Sequence, residues 1–330
     1  MKNNKLLIFL SAIVMIVCIA FLSVMSLSLA SKREHSFQFS GLSFGGKAKL
    51  RNTIEIPLSA IDSLEVKYGS KNLHVFTGED NKIVIKEYLV NDSTDAIATD
   101  EISNRTAIIT GSRVSYFIIF GFNMEERIEI YIPENGLKNL MLTTGSGNIS
   151  VQSGYQSNYD ESLMVCAGSG NIKWSNCNAV EANFSAGSGN LKLEDVTGDI
   201  VLGMGSGNIT ADNIEGVFTA SVGSGNITAT NVSGQGNFET SSGNVKLQIT
   251  DNITGDILLK TGSGNAKLEL PETVSGQFDL KTGSGNIDTS FDNNLSFSKN
   301  GKSASGNIGS NPANHITVST GSGNIKVNTF

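Results

Sequence analysis

Phe218-Thr219-Ala220-Ser221-Val222-Gly223-Ser224-Gly225-Asn226-Ile227-Thr228-Ala229-Thr230-Asn231-Val232-Ser233-Gly234 holds every part of the pattern that decides the fold. Phe218, Ala220 and Val222 alternate with Thr219 and Ser221, the period-two signature of a half-buried strand. Gly223-Ser224-Gly225-Asn226 makes a corner, because glycine reaches positive φ without a Cβ clash. Ile227 and Ala229 then alternate with Thr228 and Thr230, and Asn231 to Gly234 makes a second corner. Two short strands and two corners leave one apolar side that a single coil cannot bury, whereas stacked coils share an interior.

The corner recurs along the chain. Its asparagines are Asn148, Asn171, Asn190, Asn208, Asn226, Asn265, Asn286 and Asn324, with worn copies ending at Asn244 and Asn307. Taken in order the spacings are 23, 19, 18, 18, 18, 21, 21, 21 and 17 residues. A period near 20 is that of a solenoid. Each corner Asn is expected to stack on the next, its amide joining coil to coil as in other cross-stacked β structures. That ladder is a structural role with no chemistry attached.

The chain has 330 residues, a net charge of −7 and 17% charged residues. An acidic chain with so few charges is no nucleic-acid binder by electrostatics. Leu6 to Ala30 carry no charge, and 25 such residues are long enough to span a bilayer with some tilt. Residues 1–5 then form a short cytoplasmic N-terminus and residues 6–30 a transmembrane anchor, with the bulk of the chain outside the cytoplasm. Ser28-Leu29-Ala30 offers a cleavage site, and cleavage after Ala30 would make the protein secreted. The apolar run exceeds a signal-peptide core, which favours the uncleaved anchor.

Residues 34–140 read as a β-rich cap on the same architecture, and 141–330 as the solenoid proper. Within the cap, Ile61 to Tyr68 alternates, Gly69-Ser70-Lys71-Asn72 resembles a decayed corner, and Lys82 to Lys86 and Arg127 to Ile132 read as strands. Ser115 to Phe122 is the most apolar stretch after the span, expected as a buried cap strand. Cys166 is expected to face outward and Cys177 to sit in the following corner. Two thiols are no disulfide framework. Trp174 falls on an inward position.

Tyr131-Ile132-Pro133 followed by Leu140-Met141-Leu142-Thr143-Thr144-Gly145-Ser146-Gly147-Asn148-Ile149-Ser150-Val151 resembles the bacterial putative-adhesin family with Ser-Gly-Asn β-strand repeats, the adhesin or head-GIN type. The resemblance covers nearly everything after the span. It implies an all-β, right-handed parallel β-helix or β-solenoid, here of about ten coils at the 18–21-residue spacing. It further implies a bacterial envelope protein, membrane-anchored in some members and linked to envelope stress in others. The family has no agreed catalytic residues, and a fold does not license a function.

Enzyme chemistry finds little purchase. Glycoside cleavage needs two converging carboxylates, yet the positions four after the corner Asn run Glu194, Asp212, Thr230, Gln248, so the acids stop after two coils. His35, His74 and His315 have no ligand spacing for a metal, and the corner holds neutral Asn where a calcium β-roll needs Asp. No catalytic residue, cofactor or metal is expected.

One outward pattern stands out. Lys260, Lys281 and Lys302 follow at 21-residue intervals, with Lys246 and Lys267 close by on the next strand. Stacked, they would form a positive strip suited to anionic wall polymers or head groups, or simply keep an exposed sheet soluble. Ile325 to Phe330 would be a last strand with nothing after it, an open edge for self-association. The expected function is a non-catalytic, membrane-anchored binding or scaffold module facing a cell-envelope component or protein partner. The alternatives are an envelope-stress sensing partner and, third, a surface polysaccharide lyase or hydrolase.

Overall fold

The computed structural model describes residues 47–90, 94–111, 126–291, 294–310 and 312–330. The expected anchor at 6–30 and the apolar stretch 115–122 lie outside them. Among the described residues the elements are strands and two 3-10 turns, Leu58–Ala60 and Thr94–Ala96, and no helix is long and apolar enough to cross a membrane. The chain folds as two compact units, one up to Ile172 and one from Lys173.

In the first unit two runs of strands share a core. One run orders Lys49–Pro57, Lys82–Leu89, Arg127–Ile132, Asn72–Thr77 and Ile149–Val151, the first two junctions antiparallel and the rest parallel. The other orders Thr99–Ser103, Thr106–Thr110, Ser63–Tyr68, Asn139–Thr144 and Ser157–Ser169. Asn104 and Arg105, with φ of 49° and 59°, make the turn between Thr99–Ser103 and Thr106–Thr110. Chain order and stacking order differ here: Ser63–Tyr68 lies between Thr106–Thr110 and Asn139–Thr144, and Asn72–Thr77 between Arg127–Ile132 and Ile149–Val151. Inward residues such as Leu64, Val66, Leu73, Val75, Ile128 and Leu140 are at most 1% exposed, and each burial of this kind stabilises by roughly 1.5–3 kcal/mol.

Glu87 occupies an inward position of Lys82–Leu89 and is fully buried. It accepts hydrogen bonds from the Tyr68 hydroxyl at 2.9 Å, Asn52 Nδ2 at 2.8 Å and the Ala98 N–H at 2.9 Å. Three donors supply what water would otherwise supply to a buried carboxylate. Burial foremost, and then the Glu87 charge, push the Tyr68 phenol far above its ordinary range.

The second unit is a stack of parallel rungs. Ile209 to Asp212 pair residue for residue with Ile227 to Thr230, and Gly216 to Val222 with Gly234 to Thr240, a displacement of 18 residues. The next step is 21 residues, Val245 to Gln248 against Ala266 to Glu269, and its three extra residues are absorbed by register shifts at the second corner. Phe218 and Phe238 meet edge to face at 5.0 Å in the interior, and Trp174 is fully buried against Phe184 at 6.0 Å.

The corners have a specific geometry. Gly225 sits at φ 143°, and a Cβ there would lie 1.7 Å from the Gly207 carbonyl oxygen of the rung before. At the second corner Asp195, Asn213 and Asn231 adopt φ of 51–56°, the left-handed region that Asn and Asp tolerate best after glycine.

Stacking order departs from chain order at the C-terminal end as well. His315–Ser322 pairs in parallel with Ile257 to Ser263 on one side and Gln277 to Ser284 on the other. Ile325–Thr329 likewise lies between Ala266–Leu270 and Ile287–Thr289. The last arc is therefore an interior rung, and the expectation of an open edge at 325–330 is corrected: both of its ladders are filled. Ser303–Ile308 runs antiparallel to Gly276–Lys281, so Asn307 faces Gln277 and is no corner of the stack. Cys166 shares a register column with Thr143 and Lys67, and both Cys166 and Cys177 are covered, at 3% exposed.

Candidate functional site: a polar groove on the second unit

The corner asparagines build the first bank of this site. Asn226 gives both its backbone N–H, at 3.1 Å, and its Nδ2, at 3.0 Å, to the Oδ1 of Asn208. Asn208 does the same to Asn190, at 3.3 and 3.2 Å, and Asn244 to Asn226, at 2.9 and 3.1 Å. The backbone link continues from Asn265 to Asn244, from Asn324 to Asn265 and from Asn286 to Asn324, at 2.8 to 2.9 Å. In the first unit the same pattern joins Asn171 to Asn148 and Asn148 to Asn72.

A second ladder, which the sequence reading missed, runs inside the first. Thr240, Thr261, Thr320 and Thr282 are buried and donate their hydroxyls to the carbonyls of Gly225, Gly243, Gly264 and Gly323, at 2.8 to 3.0 Å. The signal was present as a threonine directly before each of these corners.

Two residues past each Asn stands the other bank. Thr210, Thr228 and Lys246 face one another across successive rungs, and Lys192 precedes them. Between the banks the chain turns Leu191, Ile209 and Ile227 inward. The result is a shallow groove of about 640 Å³, lined by Asn190, Asn208, Asn226 and Asn244 on one side and Lys192, Thr210, Thr228 and Lys246 on the other.

The acids beside the groove are occupied. Glu194 lies 2.6 Å from Lys192. Asp212 accepts from the Thr230 hydroxyl at 2.7 Å and from Asn231 at 2.8 Å. Among the described residues no three His, Cys, Asp or Glu side chains gather as a metal site.

The five lysines of the expected strip are not brought into one file. Lys246 and Lys267 are neighbours, and Lys326 continues their column. Both contact Glu269, at 3.4 and 2.7 Å, and Lys326 meets Asp288 at 3.2 Å. Lys267 foremost, with Lys246, holds the Glu269 carboxyl below its ordinary range. Lys260 and Lys281 are separated by Ser319 of the inserted rung, and Lys302 turns its ammonium to the Gly285 carbonyl. The inserted rung divides the strip, and Glu269 lies against two of its five lysines.

The first unit carries a polar cluster of its own on the outer face of strands Asn72–Thr77 and Arg127–Ile132. His74 Nδ1 lies 2.8 Å from Ser150 Oγ. Glu129 accepts from Arg127 Nε at 2.8 Å and the Tyr131 hydroxyl at 2.9 Å, and Arg127 covers the Tyr88 ring at 4.0 Å. Burial, then the Arg127 charge, lower the His74 imidazole, with Glu129 opposing. Burial and Glu129 raise Tyr131 to about 12.

The family model described as Toastrack DUF4097 matches residues 78–328. The chain belongs to the Toastrack DUF4097 family. Among solved structures, this Toastrack chain is similar to a putative cell adhesion protein from Clostridium sporogenes ATCC 15579, at 12% identity over 86% of this chain and 100% of that one, with a TM-score of 0.22. A putative adhesin from Bacteroides fragilis matches at 14% identity over 84% and 96%, TM-score 0.42. A putative lipid binding protein from Parabacteroides distasonis matches at 16% identity over 83% and 96%, TM-score 0.42. No curated protein matches the chain.

Proposed function

We propose that the protein is a non-catalytic binding or scaffold module of the adhesin type, a parallel β-solenoid held at the membrane by residues 6–30 and facing an envelope component outside the cytoplasm. The observation that carries the reading is the groove itself. It is open and shallow, lined by amides and hydroxyls, and its neighbouring carboxylates are tied up by Lys192, Thr230 and Asn231. Glu194 and Asp212 each commit one oxygen to a neighbour, Glu194 to Lys192 and Asp212 to Thr230 and Asn231, which supports a structural role for these acids over general acid–base work. A binding screen of the full-length chain against isolated wall polymers and oligosaccharides tests the reading. Capture of one component without its breakdown is the expected result. Depolymerisation of that component, lost in Glu194→Gln or Asp212→Asn, would replace the binding module with an enzyme.

A further inference from the structure

We propose that the groove of the second unit holds a neutral, hydroxyl-rich glycan chain laid along the stacking direction, about one sugar per rung. This rests on the binding-module reading and adds the ligand class and its orientation. A primary amide has two N–H donors and two acceptor lone pairs. In Asn208 and Asn226 the Oδ1 receives two hydrogen bonds from the next Asn, and Nδ2 spends one hydrogen on the preceding Asn. One N–H per rung remains, on side chains that are exposed. Thr210 and Thr228 set one hydroxyl per rung opposite, able both to donate and to accept.

The two central rungs of the groove are thus uncharged. Its only cations, Lys192 and Lys246, stand at the ends and face Glu194 and Glu269. A polyanion would find little net attraction there. An extended peptide would find no free strand edge and no apolar pockets for alternate side chains. A pyranose chain supplies ring hydroxyls and oxygens at intervals close to the rung spacing of ~4.8 Å. Four rungs span roughly 14 Å at that spacing, so about three to four sugars fill the site.

The test is titration of the full-length chain with neutral linear oligosaccharides of two to six units, with inorganic polyphosphate as the anionic probe. Affinity is expected to rise up to about four units, in step with the rung count, and to weaken at least tenfold in Thr210→Val/Thr228→Val. Valine keeps the branched shape, so the thermal midpoint should not move. A second readout on the unaltered protein is nuclear magnetic resonance of the side-chain amides: the oligosaccharide should shift Asn208 and Asn226 and leave Asn286 in place. Unshifted Asn208 and Asn226, equal affinity in the valine variant, or a salt-sensitive preference for polyphosphate would overturn the proposal. If an envelope component still binds in that case, the binding-module reading stands and only the groove assignment falls; if nothing binds, both fall.

Discussion

Asn286 donates its backbone N–H to the Oδ1 of Asn324 at 2.9 Å, although Asn324 comes 38 residues later in the chain. The same Oδ1-to-backbone link joins Asn324 to Asn265. The last corner thus sits between two earlier ones, and the amide file reads 244, 265, 324, 286. Of the two worn copies Asn244 keeps its place in the file, and Asn307 stands outside it.

Replacing these two asparagines separates the ladder from mere resemblance to it. Asn324→Ala removes the acceptor for Asn286 and should cost about 1 kcal/mol, the net worth of one hydrogen bond. Asn307→Ala, at an exposed place beside Gln277, should stay within about 0.5 kcal/mol. Urea denaturation of the two variants measures the difference.

Gly225→Ala puts a methyl group 1.7 Å from a backbone oxygen at φ 143°, where neither the rung nor the turn can yield. It should destabilise by at least ~3 kcal/mol, in the range reserved for named steric faults. Gly301→Ala is the control: φ is 66° but nothing lies within 4 Å, so about 1–2 kcal/mol of left-handed strain is all that remains. Thermal unfolding reads both.

Thr261→Val keeps the shape of the buried side chain and deletes the hydroxyl that caps Gly243. The carbonyl loses a partner in the interior, and the expected cost is ~1 kcal/mol. Thr210→Val on the exposed face should cost nothing measurable by the same denaturation assay.

His74 gives the first unit a pH dependence. Its imidazole titrates below the ordinary 6.5 because burial and Arg127 disfavour the cation. As pH falls through 6.5, the unfolded chain takes up the proton before the folded one does, so stability declines with falling pH and levels off below the folded pKa. His74→Gln should remove this part of the slope between pH 7 and 5, measured as denaturation midpoints across that range.

Much of this architecture could be read in the residues. The alternation around Phe218 and Ile227, the glycine corners, the amide stacking and the inward Trp174 all follow from local rules. The decayed corner at Gly69 to Asn72 was also visible, and its Asn72 does receive Asn148. Stacking order was not legible. The arcs at 257–270, 277–289 and 315–329 carry nearly the same inward pattern, so local sequence does not specify which neighbours which. The regular spacing of Lys260, Lys281 and Lys302 encouraged a file that the inserted Ser319 interrupts. Glu87 was missed for a simpler reason: carrying the alternation of Ile83 and Ile85 two residues further would have turned it inward.

The interior seat of His315 to Thr329 has a consequence for biosynthesis. That seat does not exist until residues 277–289 have been laid down, and it stays vacant until 315–329 follow. A chain emerging N-terminus first must hold the arcs 257–270 and 277–289 apart until their shared neighbour arrives. A chain cut before 315 would leave two unfilled ladders facing each other, a template for a strand from another molecule.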